Sequence, residues 1–116
     1  MNKEDWIEKW KYQSPHLSQL FHNKHYQEAV GPMGTSLNLF IDALYHLNQQ
    51  SWSKGDLYQT IDSLEHKPFN IGERVHYIAS NLSQYHAYIQ LDALYQELEK
   101  LYAKVEVLEL YAKDNK

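Results

Sequence analysis

The stretch that decides the fold is residues 83–113, SQYHAYIQLDALYQELEKLYAKVEVLELYAK. Its apolar residues recur at intervals of three and four, the spacing of one face of an α-helix: Leu91, Leu94, Leu98, Leu101, Val105 and Leu108. Polar and charged residues fill the other positions, as on the solvent side of an amphipathic helix. A helix of this length extends ~45 Å, so most of the preceding chain has to cover its apolar face. We expect an all-α antiparallel bundle of four to five main helices that is closed by this long C-terminal helix.

Three tyrosines, Tyr88, Tyr95 and Tyr102, widen the apolar face on one flank at intervals of seven residues. Two interpretations are open. They form a surface for a protein partner, since tyrosine is common at binding hot spots, or they pack beneath an N-terminal helix that carries Trp6 and Trp10. The second interpretation is favoured because the N-terminal helices need a surface to pack against.

The end of the same helix is apolar on more than one side. Val105 and Leu108 continue the main face, whereas Val107, Leu110 and Tyr111 open a second apolar face beside it. A helix of this kind has to be covered by more than its own bundle. We predict a weak homodimer through residues 102–112, with cover by the N-terminal helices as the alternative.

Composition limits the class of protein. The 116 residues have the length of one domain, so residues 1–116 are assigned to a single domain. The net charge of −4 disfavours nucleic-acid binding, and the lack of cysteine excludes disulfides, Cys-ligated zinc and thiol catalysis. No apolar run approaches the ~20 residues of a membrane span, and the N-terminus lacks the apolar core of a signal peptide. We therefore expect a cytoplasmic protein.

Prolines and glycines suggest where the earlier helices begin and end. Ser14-Pro15 predicts a helix start, after a first short helix over residues 3–12. Gly31-Pro32 is the strongest predicted break, and it separates a short helical piece from a helix over residues 34–48. The later signals are Ser53 or Asp56 as the cap of a helix that ends at Lys67-Pro68, a capping box over residues 70–73, and a corner at residues 81–83.

The sequence contains ten lysines but one arginine, Arg74, which suggests a position that needs the guanidinium fork. Arg74 falls in the first turn of a predicted helix, where a positive charge is unfavourable. We therefore expect Arg74 to be largely buried and paired with an acid from another helix. Asp42, within an apolar run, and Glu97, near the long apolar face, are the two candidates.

Catalytic and metal-binding patterns are weak. The chain has no nucleophile elbow and no phosphate-binding glycine loop, so an enzyme is not expected and no catalytic residue or cofactor is assigned. His22, His25 and Glu28 share a helical spacing, but a polar joint between helices explains them better than a metal site. His76 and His86 flank the predicted corner, where histidines at the edge of the core are the favoured interpretation. No metal site is assigned.

Two stretches resemble a known family. Residues 67–78, KPFNIGERVHYI, resemble the Pro-x-Asn-x-x-Glu-Arg block of the YpoC-like proteins, and residues 90–103 resemble the C-terminal helix of that family. Pro32-Met33 and residues 39–48 fit the same pattern, so the resemblance spans about residues 32–104. The resemblance implies a small, cytoplasmic, helical protein of Gram-positive bacteria. The family has no established activity, so no site residue is transferred from it.

We therefore expect a non-enzymatic interaction or adaptor protein with a protein partner that the sequence does not identify. The alternative is a small-ligand or metal-binding bundle that uses histidine and tyrosine side chains. Neither a nucleic acid nor a membrane is expected as a partner.

Overall fold

A computed structural model describes residues 3–114, and helices are the only regular secondary structure in this part of the chain. They are α1 (Lys3–His22), α2 (Tyr26–Leu47), α3 (Leu57–Thr60) with a 3-10 turn at Ile61–Ser63, α4 (Ile71–Ser80) and α5 (Tyr85–Asp114). Successive long helices alternate in direction, so the predicted all-α bundle is confirmed. No described helix has both the length and the apolar character needed to cross a bilayer.

The centre of the bundle is the pair α2 and α5, which run parallel to each other. The Tyr95 hydroxyl donates to the carbonyl oxygen of Ser36 at 2.5 Å, and the Tyr102 hydroxyl donates to that of Ala43 at 2.7 Å. Both bonds join residues that are 59 positions apart, so they fix one register between the two helices. α1 and α4 each contact both members of this pair.

α1 packs antiparallel to α5 through aromatic rings. The Trp10 ring stacks on the Tyr95 ring at a centroid distance of 4.6 Å, and its Nε1–H donates to Asp92 Oδ1 at 2.9 Å. Further along α1, Phe21 lies 5.9 Å from the ring of Tyr85. Buried aromatic pairs add to the free energy gained by burying their area, so α1 is a full member of the core.

The predicted helix start at Ser14-Pro15 is wrong, because α1 continues through both residues as one helix of 20 residues. Trp10, Leu17 and Phe21 are all buried on one face, at helical spacing across the proline. Burial of that face outweighs the backbone hydrogen bond that Pro15 cannot make. Ser14 is not an N-cap; its Oγ is 2.7 Å from the Tyr88 hydroxyl.

The break predicted at Gly31-Pro32 is also wrong, because α2 runs through it for 22 residues. A residue before proline is normally driven from helical geometry by a clash between its Cβ and the proline ring. Gly31 has no Cβ, so it adopts helical geometry without this clash with the ring of Pro32. Ala29 and Met33 on either side are fully buried, which stabilises the continuous form.

The polar joint predicted after α1 is confirmed at residues 23–25. Lys24 adopts the left-handed conformation (φ 61°). The His25 N–H donates to the Leu20 carbonyl at 2.8 Å and the Lys24 N–H to the Phe21 carbonyl at 3.0 Å, which is a Schellman helix end. The corner predicted at residues 81–83 is confirmed as well, between α4 and α5.

The helix predicted before Lys67-Pro68 is much shorter than expected. α3 is a single turn, and the 3-10 turn after it ends at Ser63. Asp56 occupies the N-cap position of α3, but its carboxylate accepts from Ser53 Oγ at 2.9 Å instead of capping the helix. Asn48 holds the following segment, since its side chain bonds both the N–H and the carbonyl of His66 at 2.8 Å.

α4 begins after Asn70, as predicted, but without a capping box. Asn70 is left-handed (φ 59°), and its side-chain amide donates to Glu73 Oε2 at 2.7 Å. One N-terminal N–H group of α4 is bonded by another element instead, since the Gly72 N–H donates to Asp62 Oδ1 at 2.9 Å. A carboxylate at this end of a helix also interacts favourably with the helix dipole.

This arrangement predicts that Gly72→Ala destabilises the protein. A Cβ at position 72 would lie 2.4 Å from Asp62 Oδ2, so the carboxylate has to move and lose its bond to α4. We expect a loss of about 1–3 kcal/mol in the free energy of unfolding, measured by urea denaturation. Gly55→Ala is the control, because a Cβ there meets no atom within 4 Å. An unchanged midpoint for Gly72→Ala would contradict the prediction.

Candidate functional site

The predicted tyrosine surface is not accessible in the structure. Tyr88, Tyr95 and Tyr102 are all buried, and Trp10 contacts the first two. The partner surface predicted on these three residues is therefore wrong. The alternative, packing beneath the N-terminal helix, holds for Tyr88 and Tyr95. Trp10 of α1 packs on Tyr88 and Tyr95, whereas the Tyr102 hydroxyl donates to the Ala43 carbonyl of α2.

The second predicted surface, at the end of α5, is exposed. The exposed fractions are 65% for Val107, 48% for Leu108, 62% for Leu110 and 70% for Tyr111. We call these four residues the terminal patch. The main apolar face of α5 is buried only as far as Val105, and every residue from 106 to 113 is exposed.

The register between α2 and α5 explains why the patch is exposed. The offset of 59 residues that the two tyrosine bonds set places Leu47, the last residue of α2, level with Glu106. α5 continues for eight more residues, to Asp114. Val107 also lies two residues after Val105, which is about 200° around the helix, so it points away from the core.

The structure brings together two of the three residues predicted to form an ion pair. Arg74 Nη1 donates to Glu97 Oε1 at 3.1 Å, and Nη2 bonds the other carboxylate oxygen, so the contact is bidentate. Nη1 also donates to the Phe69 carbonyl at 3.1 Å. The Arg74 side chain is 21% exposed and that of Glu97 is 38% exposed. The pair ties α4 and the segment before it to α5.

Asp42, the other candidate partner of Arg74, is not part of this pair. It is exposed on α2, and its Oδ1 accepts from Trp52 Nε1 at 2.7 Å. The apolar run around Asp42 suggested burial, but Asp42 lies on the outer side of the helix. Trp52 folds back over α2, with its ring 6.2 Å from that of Tyr45.

The histidines do not form a metal site among the described residues. His25 Nδ1 lies 3.6 Å from Glu28 Oε2 on the surface. His76 contacts the Tyr58 ring and His86 contacts the Tyr77 ring, so the two are held by different partners. No group of three potential ligands occurs anywhere in residues 3–114 that could hold a metal ion.

A groove that the sequence did not predict runs between α1 and α2. It has a volume of about 740 Å³, within the range of small-ligand sites. Trp10 and Tyr95 form its floor. Its walls and rim come from two helices: Asp5, Glu8, Lys9, Tyr12 and Gln13 from α1, and Pro32, Thr35, Ser36 and Leu39 from α2.

The groove was missed because the sequence does not show which helices are neighbours. The residues of α1 that line it all precede Pro15, and three of the four residues from α2 follow Pro32. Both walls therefore lie almost entirely within segments that were predicted to be helical, and their spacing carries no signal that the two helices face each other.

Burial changes the acid–base properties of the core tyrosines. It raises the pKa of Tyr102 to about 12. Burial, together with the negative charge of Asp42, raises the pKa of Tyr95 well above its ordinary value. Burial also raises the pKa of Tyr45, against the opposing hydrogen bond with Thr60. The pKa of a tyrosine hydroxyl in the unfolded chain is ~10. These three residues therefore ionise at a higher pH in the folded protein than in the unfolded chain.

Alkaline pH should therefore unfold the protein. The raised folded pKa means that the neutral tyrosines contribute their full stability below pH ~10 and lose it as the pH rises toward 12. We expect constant stability around neutral pH and a fall above pH ~10, together with late ultraviolet ionisation of the core tyrosines. Tyr102→Phe should remove one late-ionising group. Complete ionisation of all ten tyrosines in a single early step, with the helix signal intact, would contradict this.

The Arg74–Glu97 contact should be worth more than an exposed pair. We expect a coupling of about 1–3 kcal/mol in a double-mutant cycle with Arg74→Lys and Glu97→Gln, because the pair is bidentate and mostly covered. Lys11 of α1 and Glu99 of α5 provide a matched control between two helices, at 3.1 Å but with both side chains more than half exposed. That pair should couple by about 0–0.5 kcal/mol. Equal coupling in the two cycles would contradict the prediction.

The comparisons with known proteins give one result. No curated protein and no solved structure matches the chain. The sequence does match the family described as YpoC-like protein over residues 2–110, which includes the N-terminal part that carried no specific resemblance. Because the match covers nearly the whole sequence, this chain belongs to the family of YpoC-like proteins.

Proposed function

We propose that this protein is a non-enzymatic interaction module of the cytoplasm, which binds another protein chain through the terminal patch. The observation that carries the proposal is the position of Val107, Leu108, Leu110 and Tyr111 on a helix end that extends past α2. Four exposed apolar side chains within five residues expose on the order of 500 Å², the size of the largest patch on a typical monomer. Such patches commonly mark contact sites.

The patch is built on a rigid support, which favours a binding role. α5 is a single helix of 30 residues, and its buried half is fixed by Tyr95, Tyr102 and Arg74. A helix that is held in this way loses little conformational entropy when its end is covered by a partner. The presence of tyrosine in the patch agrees with the composition of binding hot spots.

A small-ligand function is the second candidate, and the groove between α1 and α2 is the observation that favours it. Its lining contains Tyr12 and Tyr95 but no histidine of the described chain, so it supports only part of the ligand hypothesis made from the sequence. It ranks second because Trp10 and Tyr95, which form the floor, are 5% and 3% exposed. Their rings are used in packing against each other and offer a ligand little accessible apolar area.

The proposal predicts site-specific crosslinking at the end of α5. A photoreactive benzoylphenylalanine at Leu110 should form a covalent adduct with another protein chain in living cells. The same group at Gln19, an exposed position in α1, is the control and should give much less. Adding Val107→Asp should reduce the Leu110 adduct at least fivefold, because it places a charge inside the apolar contact.

Two results would contradict the proposal. One is equal crosslinking from positions 110 and 19, which indicates random collisions. The other is an adduct from position 110 that survives Val107→Asp unchanged, since the contact would then not depend on the terminal patch.

A further inference from the structure

The outer face of the α5 end has the pattern of a helix that pairs with another helix. Ala103, Val107 and Leu110 follow one another at spacings of four and three, so they form a stripe on the side opposite the buried Tyr102 and Val105. The stripe is flanked on one side by Glu106 and Lys113. Lys104 and Tyr111 flank it on the other side.

The charges in this segment are self-complementary. Residues 104–113 contain two lysines and two glutamates, so the segment has no net charge although the whole chain has −4. A second copy is therefore not repelled at this point. On the flank beside Leu110, the side chains of Glu106, Glu109 and Lys113 line a shallow open depression.

An antiparallel register satisfies both the stripe and the charges. In an antiparallel pair, residues face each other when their numbers add to the same total. If Val107 faces Leu110 of a second copy, then Leu110 faces Val107 of that copy, and the contact is symmetric. The same register brings Glu106 within about 3 Å, along the axis, of Lys113 of the second copy. Lys104 then lies beside Tyr111 of the second copy on the opposite flank.

We propose that the partner of the terminal patch is a second copy of this chain, in an antiparallel two-fold pair centred between Leu108 and Glu109. The proposal rests on the proposed function and specifies its partner. Complete burial of the patch on both copies would cover at most roughly 1,000 Å² in total, which is at the low end for specific interfaces and corresponds to a weak, reversible dimer. Glu106 and Lys113 make two reciprocal ion pairs, which set the register.

The experiment is a charge exchange measured by sedimentation equilibrium. Glu106→Lys alone places lysine opposite lysine twice, and Lys113→Glu alone places glutamate opposite glutamate twice. Each variant by itself should dimerise at least tenfold more weakly than the wild type. An equimolar mixture of the two variants restores two opposite-charge pairs, so it should dimerise within about threefold of the wild type.

The control mixture is Glu28→Lys with Lys54→Glu, which makes the same changes in net charge at exposed positions outside residues 104–113. It should behave like the wild type, alone or mixed. This separates a specific register from general attraction between oppositely altered chains. Thermal unfolding of each variant shows that a loss of dimer is not a loss of fold.

Three results overturn the inference. The first is a wild type that stays monomeric at every concentration. The second is a pair of single variants that dimerise as well as the wild type, and the third is a mixture that fails to restore the dimer. The last two results are also the ones that a parallel pair would give, because residues 106 and 113 then lie about 10 Å apart along the axis. Failure here leaves the proposed function intact if Leu110 crosslinks to a different protein, and removes it if Leu110 crosslinks to none.

Discussion

The register between α2 and α5 is the constraint on which the rest of the structure depends. Two tyrosine hydroxyls, seven residues apart on α5, donate to two carbonyl oxygens that are seven residues apart on α2. Each bond is buried, so leaving a hydroxyl unpaired would cost about 1–3 kcal/mol. The two bonds together permit neither a slide nor a rotation of α5 against α2. α1 then covers the tyrosine flank, α4 packs on the same two helices, and the end of α5 projects beyond Leu47.

The period of the apolar residues predicted the helices that have a long apolar face. The prediction failed where a single proline was weighted above that period. The length of α5 follows from spacing, and the end of α2 and the corner before α5 follow from spacing together with the polar loop residues beside them. Pro15 and Pro32 were taken as helix boundaries, although Leu17, Phe21 and Met33 continue the buried faces beyond them. The energy of burying several large side chains exceeds the ~3 kcal/mol cost of a proline inside a helix. A local rule was therefore outweighed by tertiary packing, which no single residue reveals.

The residues of the candidate site could be predicted only where the sequence indicates whether a side chain is exposed. Val107, Leu110 and Tyr111 were identified because they fall outside the apolar seam, and that argument needs only the helical period. Tyr88, Tyr95 and Tyr102 sit on the flank of the seam, where the same period does not decide between core and surface. Their burial depends on contacts between helices that spacing does not reveal: Trp10 packs on Tyr88 and Tyr95, and Tyr102 is bonded to α2. Asp42 and Glu97 were equal candidates for Arg74, because sequence does not tell which helix lies beside α4.

Residues in the block that resembles the family make contacts that hold the fold together. In the block around Asn70, Gly72 leaves room for the Asp62 carboxylate at the start of α4, and Arg74 joins that helix to Glu97 and to the Phe69 carbonyl. Each contact is intramolecular and fixes the position of α4 against α5. Membership of the family therefore gives information about how α5 is supported, and little about what its exposed end contacts. The proposal of an interaction surface is therefore argued from exposure and charge, since Gly72 and Arg74 make their contacts within the bundle.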